Sequence, residues 1–188
     1  MKLSILICSL VSRTELYRLL AKHLNWQMQG LLHEVELLVL TDAKEVSTGV
    51  KRQKLLERAK GDYVVFIDDD DWVPDYYVHE MLKACHTGAD CVAIKGTMTT
   101  DGTNEIPWRI SCRYENKTIH ENGRMVYLRK TNHITAVRRT LALQAGFPDK
   151  SNAEDKWYSD RVAPLCKTET VIDKPMYHYR YSSKNKEY

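Results

Sequence analysis

Residues 61–77, GDYVVFIDDDDWVPDYY, constrain the fold more than any other stretch of the chain. Residues 63–67 are apolar without interruption and rich in β-branched and aromatic types. Such a short run reads as a strand, and apolarity at every position requires cover on both faces. A strand covered on both faces belongs inside a parallel sheet, and parallel neighbours need crossover connections, usually helical. Four aspartates follow at once. Two carboxylates about 4 Å apart repel by roughly 1 kcal/mol in water and about 4 kcal/mol at an effective dielectric of 20. The run therefore asks for a cation.

The surrounding pattern supports crossovers. Residues 3–8 and 35–42 read as further strands, and DCVAI, residues 90–94, as a fourth. Between them, Ser12 and Glu15 match a capping box, and Leu16, Leu19, Leu20, His23 and Leu24 follow helical spacing. His23 on that stripe reads as a helix-flank residue rather than a ligand. A second helix is expected over 48–60, closed by Gly61. A third is expected to start at Pro74, carry Met81, Leu82 and Cys85, and stop near Gly88. The first half thus alternates strand and helix, the pattern of an open α/β sheet. The second half is less regular. Asp101-Gly102 reads as a turn, β segments are expected at 125–128 and 134–137, and a helix from about residue 153 with Asn152 as N-cap. The tail KPMYHYRYSSKNKEY is aromatic and basic.

With 188 residues and 43% hydrophobic content, one domain with a real core is expected. A net charge of +3 suits an anionic ligand such as a nucleotide but is too small to argue for nucleic acid. The five cysteines form no CxxC. Cys85, His86 and Cys91 lie close in sequence without a matching second pair, so reduced thiols are the plain reading. The N-terminal apolar run is too short to span a bilayer and passes straight into a helix pattern. A cytoplasmic protein, without signal peptide or membrane span, is the expectation.

Ligands of open α/β sheets bind outside the carboxyl ends of the strands. Asp42 and the aspartates Asp68, Asp69, Asp70 and Asp71 all fall there. Asp71 is placed to cap the helix near Pro74; the others need a cation, because desolvated charges are paired or coordinate metals. An all-oxygen donor set points to Mg²⁺ or Mn²⁺.

The pattern T-D … G-V-K-R-Q-K-L-L-E-R-A-K-G-D-Y-V-V-F-I-D-D-D-D-W-V-P resembles the nucleotide-sugar half of the family-2 glycosyltransferases, whose fold is called GT-A. NAEDKWYSDRV resembles the family's later Glu-Asp element, so the resemblance covers most of the chain. It implies a single GT-A domain over 1–188. About 1–96 would form the nucleotide-sugar half and about 97–188 the acceptor half: an open, mostly parallel sheet with helices on both faces and a smaller antiparallel acceptor-side portion.

The resemblance also implies roles. Asp68 and Asp70 are the two acids of a DXD motif, Asp70 on the metal and Asp68 on the ribose or the metal's water shell, with Asp69 between them. Asp42 matches the acid that accepts the uracil imide N–H. Arg52 matches the arginine of an Arg-Asn pair, with Gln53 in place of the asparagine. Cys8, Ser9 and Leu10 occupy the loop after the first strand, with Leu10 where the family often has a tyrosine. Asp155 matches the catalytic base and Glu154 is placed to orient the acceptor; alternatively, both simply favour a helix N-terminus. His178 has two readings, a further metal ligand or part of an aromatic surface tail, while Arg180 suits a diphosphate and His133 borders the acceptor side.

The implied activity is metal-dependent, inverting transfer of a sugar, from a UDP-sugar by preference, to a hydroxyl of a glycan, protein, small molecule or modified nucleic-acid base, with oligomeric state open. Two other functions compete. One is a non-catalytic metal- or sugar-nucleotide-binding module. The other is a phosphatase of the haloacid-dehalogenase type, which also places D-x-D after a strand but whose following residues differ from Asp71-Trp72.

Overall fold

The computed structural model describes residues 1–183; Lys184 to Tyr188 of the aromatic tail lie outside the described residues. The chain runs β1 (Leu3–Leu10), α1 (Thr14–Gln27), β2 (Val35–Asp42), α2 (Thr48–Arg58), β3 (Tyr63–Phe66), α3 (Tyr77–Cys85) and β4 (Cys91–Thr100). It continues through β5 (Thr103–Ile110), β6 (Lys117–Glu121), β7 (Arg124–Arg129), β8 (Val137–Arg138), α4 (Arg139–Ala145), α5 (Glu154–Val162) and β9 (Glu169–Tyr181). The sheet order is β2-β1-β3-β8-β4-β5-β7-β6, with β9 beside β4.

β1 lies between β2 and β3, parallel to both, with Leu10 opposite Asp42 and Leu6 opposite Phe66. This parallel core is covered on both faces, as the apolar run over 63–67 requires. Leu3, Ile5 and Ile7 pack with Leu20 and Leu24 of α1 and Tyr77 and Met81 of α3. On the other face, Leu6, Val64 and Phe66 pack with Leu55 and Leu56 of α2, Ala142 of α4 and Tyr158 of α5. Each large apolar side chain so buried contributes about 1.5–3 kcal/mol. Antiparallel pairing begins at β8, which lies antiparallel to β3 and β4, and continues in the hairpin β4–β5, turned at Asp101 (φ 50°) and Gly102 (φ 76°). No helix among the described residues is long and apolar enough to cross a membrane.

Several local expectations are corrected. α1 follows a 3-10 turn at Val11–Arg13 and has no side-chain cap, so Ser12 and Glu15 form no capping box. Its inward face is Leu20, Ala21 and Leu24, while Leu16 and Leu19 are 39% and 54% exposed. Spacing marks a stripe but not which edge of it meets the sheet. His23 sits at the flank, its ring stacked 4.6 Å from Trp72 and its Nε2 3.0 Å from the Val73 carbonyl. α2 is capped by Ser47, whose Oγ accepts the Val50 N–H at 3.2 Å, and it ends at Arg58. Gly61 is therefore not a left-handed helix cap. A Cβ there would lie 2.6 Å from the Ser4 backbone nitrogen, so close packing on β1 demands glycine. α3 begins at Tyr77, three residues past Pro74. The β segment expected over 134–137 contracts to β8, and residues 174–181 of the tail form the second part of the thirteen-residue β9. The N-cap of α5 is Ala153, left-handed at φ 60°, and Asn152 makes no cap.

Candidate active site

An open cleft of about 1280 Å³ lies at the carboxyl ends of β1 and β3, bounded by α2, the α5 start and the end of β9. Its floor is the aspartate run, and that run alternates. Asp69 and Asp71 are 3% and 0% exposed, whereas the side chains of Asp68 and Asp70 are 27% and 25% exposed. The run forms a turn, closed by the Asp71 N–H on the Asp68 carbonyl at 3.1 Å, that sends alternate acids to opposite sides. Four acids in sequence thus become two facing the cleft and two facing the protein.

The inner pair is fully engaged. Asp69 accepts from Ser9 Oγ at 2.8 Å and from Arg13 Nη1 at 3.0 Å. Asp71 accepts from Tyr177 Oη and from the Arg180 backbone N–H, both at 2.7 Å. Asp71 is therefore not a helix cap; it ties the loop to β9. Burial, and next the charge of Asp68, push its carboxyl well above the usual range. Arg180 donates to the Asp70 and Asp71 carbonyls at 3.0 and 2.9 Å, and its guanidinium lies 5.7 Å over Trp72.

The outer pair meets basic side chains from two sides. Arg52 Nη2 is 2.9 Å from Asp68 Oδ1, and His133 Nε2 is 3.3 Å from Asp68 Oδ2. Burial opposes the ionised form, yet Arg52 first and His133 next hold the Asp68 carboxyl well below the usual range. Asp70 meets Arg13 Nη1 at 2.9 Å. Burial raises its pKa, Arg13 offsets part of that, and the charges of Asp68 and Asp69 add to the rise. An acid crowded by two others and half-satisfied by one arginine is the electrostatic setting that a divalent cation relieves. The oxygen-only donor set of Asp68 and Asp70 therefore fits Mg²⁺ or Mn²⁺.

Arg52 joins the two acidic elements. The same buried guanidinium lies 2.9 Å from Asp68 and, through Nε, 3.4 Å from Glu154 Oε1. Burial raises the Glu154 pKa, and Arg52 opposes that rise. Asp155, next in α5, is exposed and lines the cleft, with one oxygen accepting the Lys156 N–H at 2.7 Å. The left-handed Ala153, a conformation that costs an L-residue roughly 1–2 kcal/mol, starts the helix so that Glu154 and Asp155 open its first turn. Buried Arg52 Nη1 and His133 Nδ1 have no hydrogen-bond partner in the protein. Both residues line the cleft, so these are polar positions a ligand would satisfy, Arg52 Nη1 as a donor.

The structure brings Cys8, Ser9, Leu10, Arg52, Asp68, Asp69, Asp70, Glu154 and Asp155 together around the cleft. Burial drives the Cys8 thiol up to about 12, Arg52 partly opposing, so it is a neutral wall residue. Asp42 and His178 stand differently. Asp42 Oδ1 is 2.5 Å from the buried Lys51 Nζ, and Oδ2 accepts the Val46 N–H at 3.1 Å. Burial opposes, but those bonds outweigh it and keep the Asp42 carboxyl below the usual range. Lys51, not Asp42, lines the cleft. The His178 imidazole lies 2.9 Å from Thr99 Oγ1, and its backbone exchanges hydrogen bonds with Trp72 at 2.8 and 3.1 Å. Two contributors escape sequence reasoning, Arg13 and Lys51, while His133, expected to border the acceptor side, meets Asp68. Arg13 carried a usable signal, a lone basic residue just past a strand end that faces four acids.

A family model described as Glycosyl transferase family 2 matches residues 28–143, more than half of the chain. The chain is 25% identical over 141 residues to EpsH of Bacillus subtilis (strain 168), which carries a glycosyltransferase name; the match covers 70% of this chain and 41% of EpsH. Among solved structures it is similar to S. aureus TarS, with TM-score 0.70 and 16% identity over 96% of this chain and 37% of TarS. TarS 1–349 in complex with UDP matches at TM-score 0.69 and 16% identity, over 97% of this chain and 61% of that one. TarS 1–349 in complex with UDP-GlcNAc matches at 0.65 and 15%, over 96% and 58%. The chain thus spans less than two thirds of the length of each of these relatives. The likeness to TarS establishes the fold, the GT-A arrangement.

Proposed function

Because the chain belongs to glycosyl transferase family 2, we propose that its cleft transfers a sugar from a nucleoside diphosphate sugar to an acceptor hydroxyl with inversion. One observation carries this reading: Arg52 stands between the donor-side acid Asp68 and the acceptor-side acid Glu154, at 2.9 and 3.4 Å. A single arginine so placed couples the two halves of a displacement reaction. The proposed organisation is one domain, a donor half over about 1–96 and an acceptor half over about 97–188.

Asp68 and Asp70 would hold Mn²⁺ or Mg²⁺. When bound, such an ion neutralises the negative charge that accumulates on the departing diphosphate. Arg52 and Arg13 keep the acids ionised and aligned. Asp155 takes the acceptor proton as the hydroxyl oxygen bonds to the anomeric carbon from the face opposite the leaving group. Glu154, anchored on Arg52, orients the acceptor. The donor is a UDP-sugar by preference, a reading supported by the UDP and UDP-GlcNAc complexes of TarS. Cys8, Ser9 and Leu10 form the base-side wall. For Asp42 to receive uracil, the Lys51 ion pair must open. His178 joins the metal only if it leaves Thr99; its role in our reading is to anchor Trp72. The acceptor is a hydroxyl compound, and five free cysteines favour a reducing, cytoplasmic setting.

Calorimetric titration of UDP with and without Mn²⁺, followed by a sugar-nucleotide panel read by mass, tests this. Ion-dependent binding and turnover of a UDP-sugar are expected. Equal affinity in both conditions would remove the metal, and donor binding without transfer to any acceptor or water would favour a binding module.

A further inference from the structure

A second group of ligand-type side chains lies outside the cleft. Cys91 opens β4, Cys112 follows β5 by two residues, and Glu169 opens β9. Their Sγ, Sγ and carboxylate atoms all lie within 4.8 Å of one another. Cys166, at the end of the 3-10 turn Ala163–Leu165, is hydrogen-bonded to Cys91. Cys91 and Cys166 are 1% and 5% exposed, and the Glu169 side chain 3%. None of the four lines the cleft.

We propose that Cys91, Cys112 and Glu169 form a site for a thiophilic divalent cation of the Zn²⁺ class, its fourth position open to water or, after a side-chain turn, to Cys166. Tetrahedral zinc has arms of about 2.3 Å to sulfur and about 2.0–2.2 Å to carboxylate oxygen, which sets ligand atoms roughly 3.5–3.8 Å apart. That spacing falls within the observed cluster. Soft thiolates select zinc over magnesium or manganese, so this site and the aspartate site draw on different ions.

The surroundings are those of a supported site. Ser111 Oγ donates to Glu169 at 2.7 and 2.9 Å, the Cys112 N–H donates to it at 2.9 Å, and Arg113 Nε lies 3.2 Å away. Partners of this kind orient a ligating carboxylate and offset its charge. Cys91 and Glu169 are register partners in the parallel β4–β9 ladder. Thiolate ligation displaces the thiol protons, so uptake weakens as pH falls. A bound ion would tie together β4, β9 and the end of β5, adding to the bonds that Glu169 already makes there.

Cobalt(II) titration of the reduced chain, with excess Mg²⁺ present, tests the site. Thiolate ligation produces sulfur-to-cobalt charge transfer in the near ultraviolet and strong visible bands of tetrahedral cobalt; oxygen ligation produces neither. We expect these bands at one ion per chain, their loss on adding Zn²⁺, and their survival in Asp70→Ala. Cys112→Ser should lose charge-transfer intensity and Glu169→Gln should shift the visible bands. Wild-type protein suffices if a variant fails to fold. Cobalt uptake without thiolate bands, or no uptake by fully reduced protein, overturns the proposal.

Discussion

The inner and outer sides of the acidic loop use the same residue type for opposite purposes. Asp69 and Asp71 are buried and saturated, by Ser9, Arg13, Tyr177 and the Arg180 N–H. Asp68 and Asp70 face the cleft, each held by an arginine from a different element. The contrast teaches that a run of acids is not a count of ligands. A turn divides it, and the inner pair ties that turn to Ser9 of β1 and Tyr177 of β9.

The largest effect that would sharpen this contrast lies across the cleft from the outer pair. Asp155→Asn should lower turnover by about 10²–10⁴-fold, the usual worth of a general base, with donor affinity little changed and inverted product from the intact enzyme. A retained anomeric configuration in the product's NMR couplings, or near-full activity in the variant, would move the role to Glu154.

Next comes Asp70→Ala. Outer-shell partners of a metal are alone worth about 10–100-fold in affinity, so removing an outer-side ligand should cost at least about tenfold in metal-dependent UDP binding. Chemical stability should not fall with it. Because burial and then the neighbouring acids raise the Asp70 pKa, metal-supported binding should fade on acidification above the ordinary carboxylate range. Binding indifferent to pH down to that range would break the assignment.

Asp71→Ala should invert the pattern. It leaves the Tyr177 O–H and the Arg180 N–H without their acceptor, each at about 1–3 kcal/mol, so the urea midpoint should drop with m unchanged. Asp71→Asn should be milder and should flatten the pH dependence. The sign follows from the raised folded pKa. The contribution of Asp71 is complete below its unfolded pKa and is lost as pH rises through the folded value. Stability equal to wild type in Asp71→Ala would erase the distinction between the two sides of the loop.

The smallest effect calibrates the scale outside the loop. Ser47→Ala should cost about 1 kcal/mol as a true N-cap, while Asn152→Ala, which makes no cap bond, should leave the melting temperature unchanged. Equal losses in both would restore Asn152 as a cap.

Features whose physical cause is local were legible in the amino-acid sequence. The apolar run at 63–67, the strand ends and the turn at Asp101-Gly102 depend on neighbours a few residues away, and so do the contiguous acids. The family resemblance carried Arg52, Glu154 and Asp155 to the same cleft. What only the tertiary structure decided depends on partners far apart in the chain. Asp71 turned inward because Tyr177 and Arg180 meet it from β9, more than a hundred residues on. Asp42 met Lys51, Asp68 met His133, and Gly61 answered to the backbone of Ser4 rather than to its own helix. Cys91 found Cys112, Cys166 and Glu169 rather than its sequence neighbours Cys85 and His86. Periodicity records which face a side chain takes, but the identity of the group opposite is set by strand register and helix packing, which bring distant segments into contact.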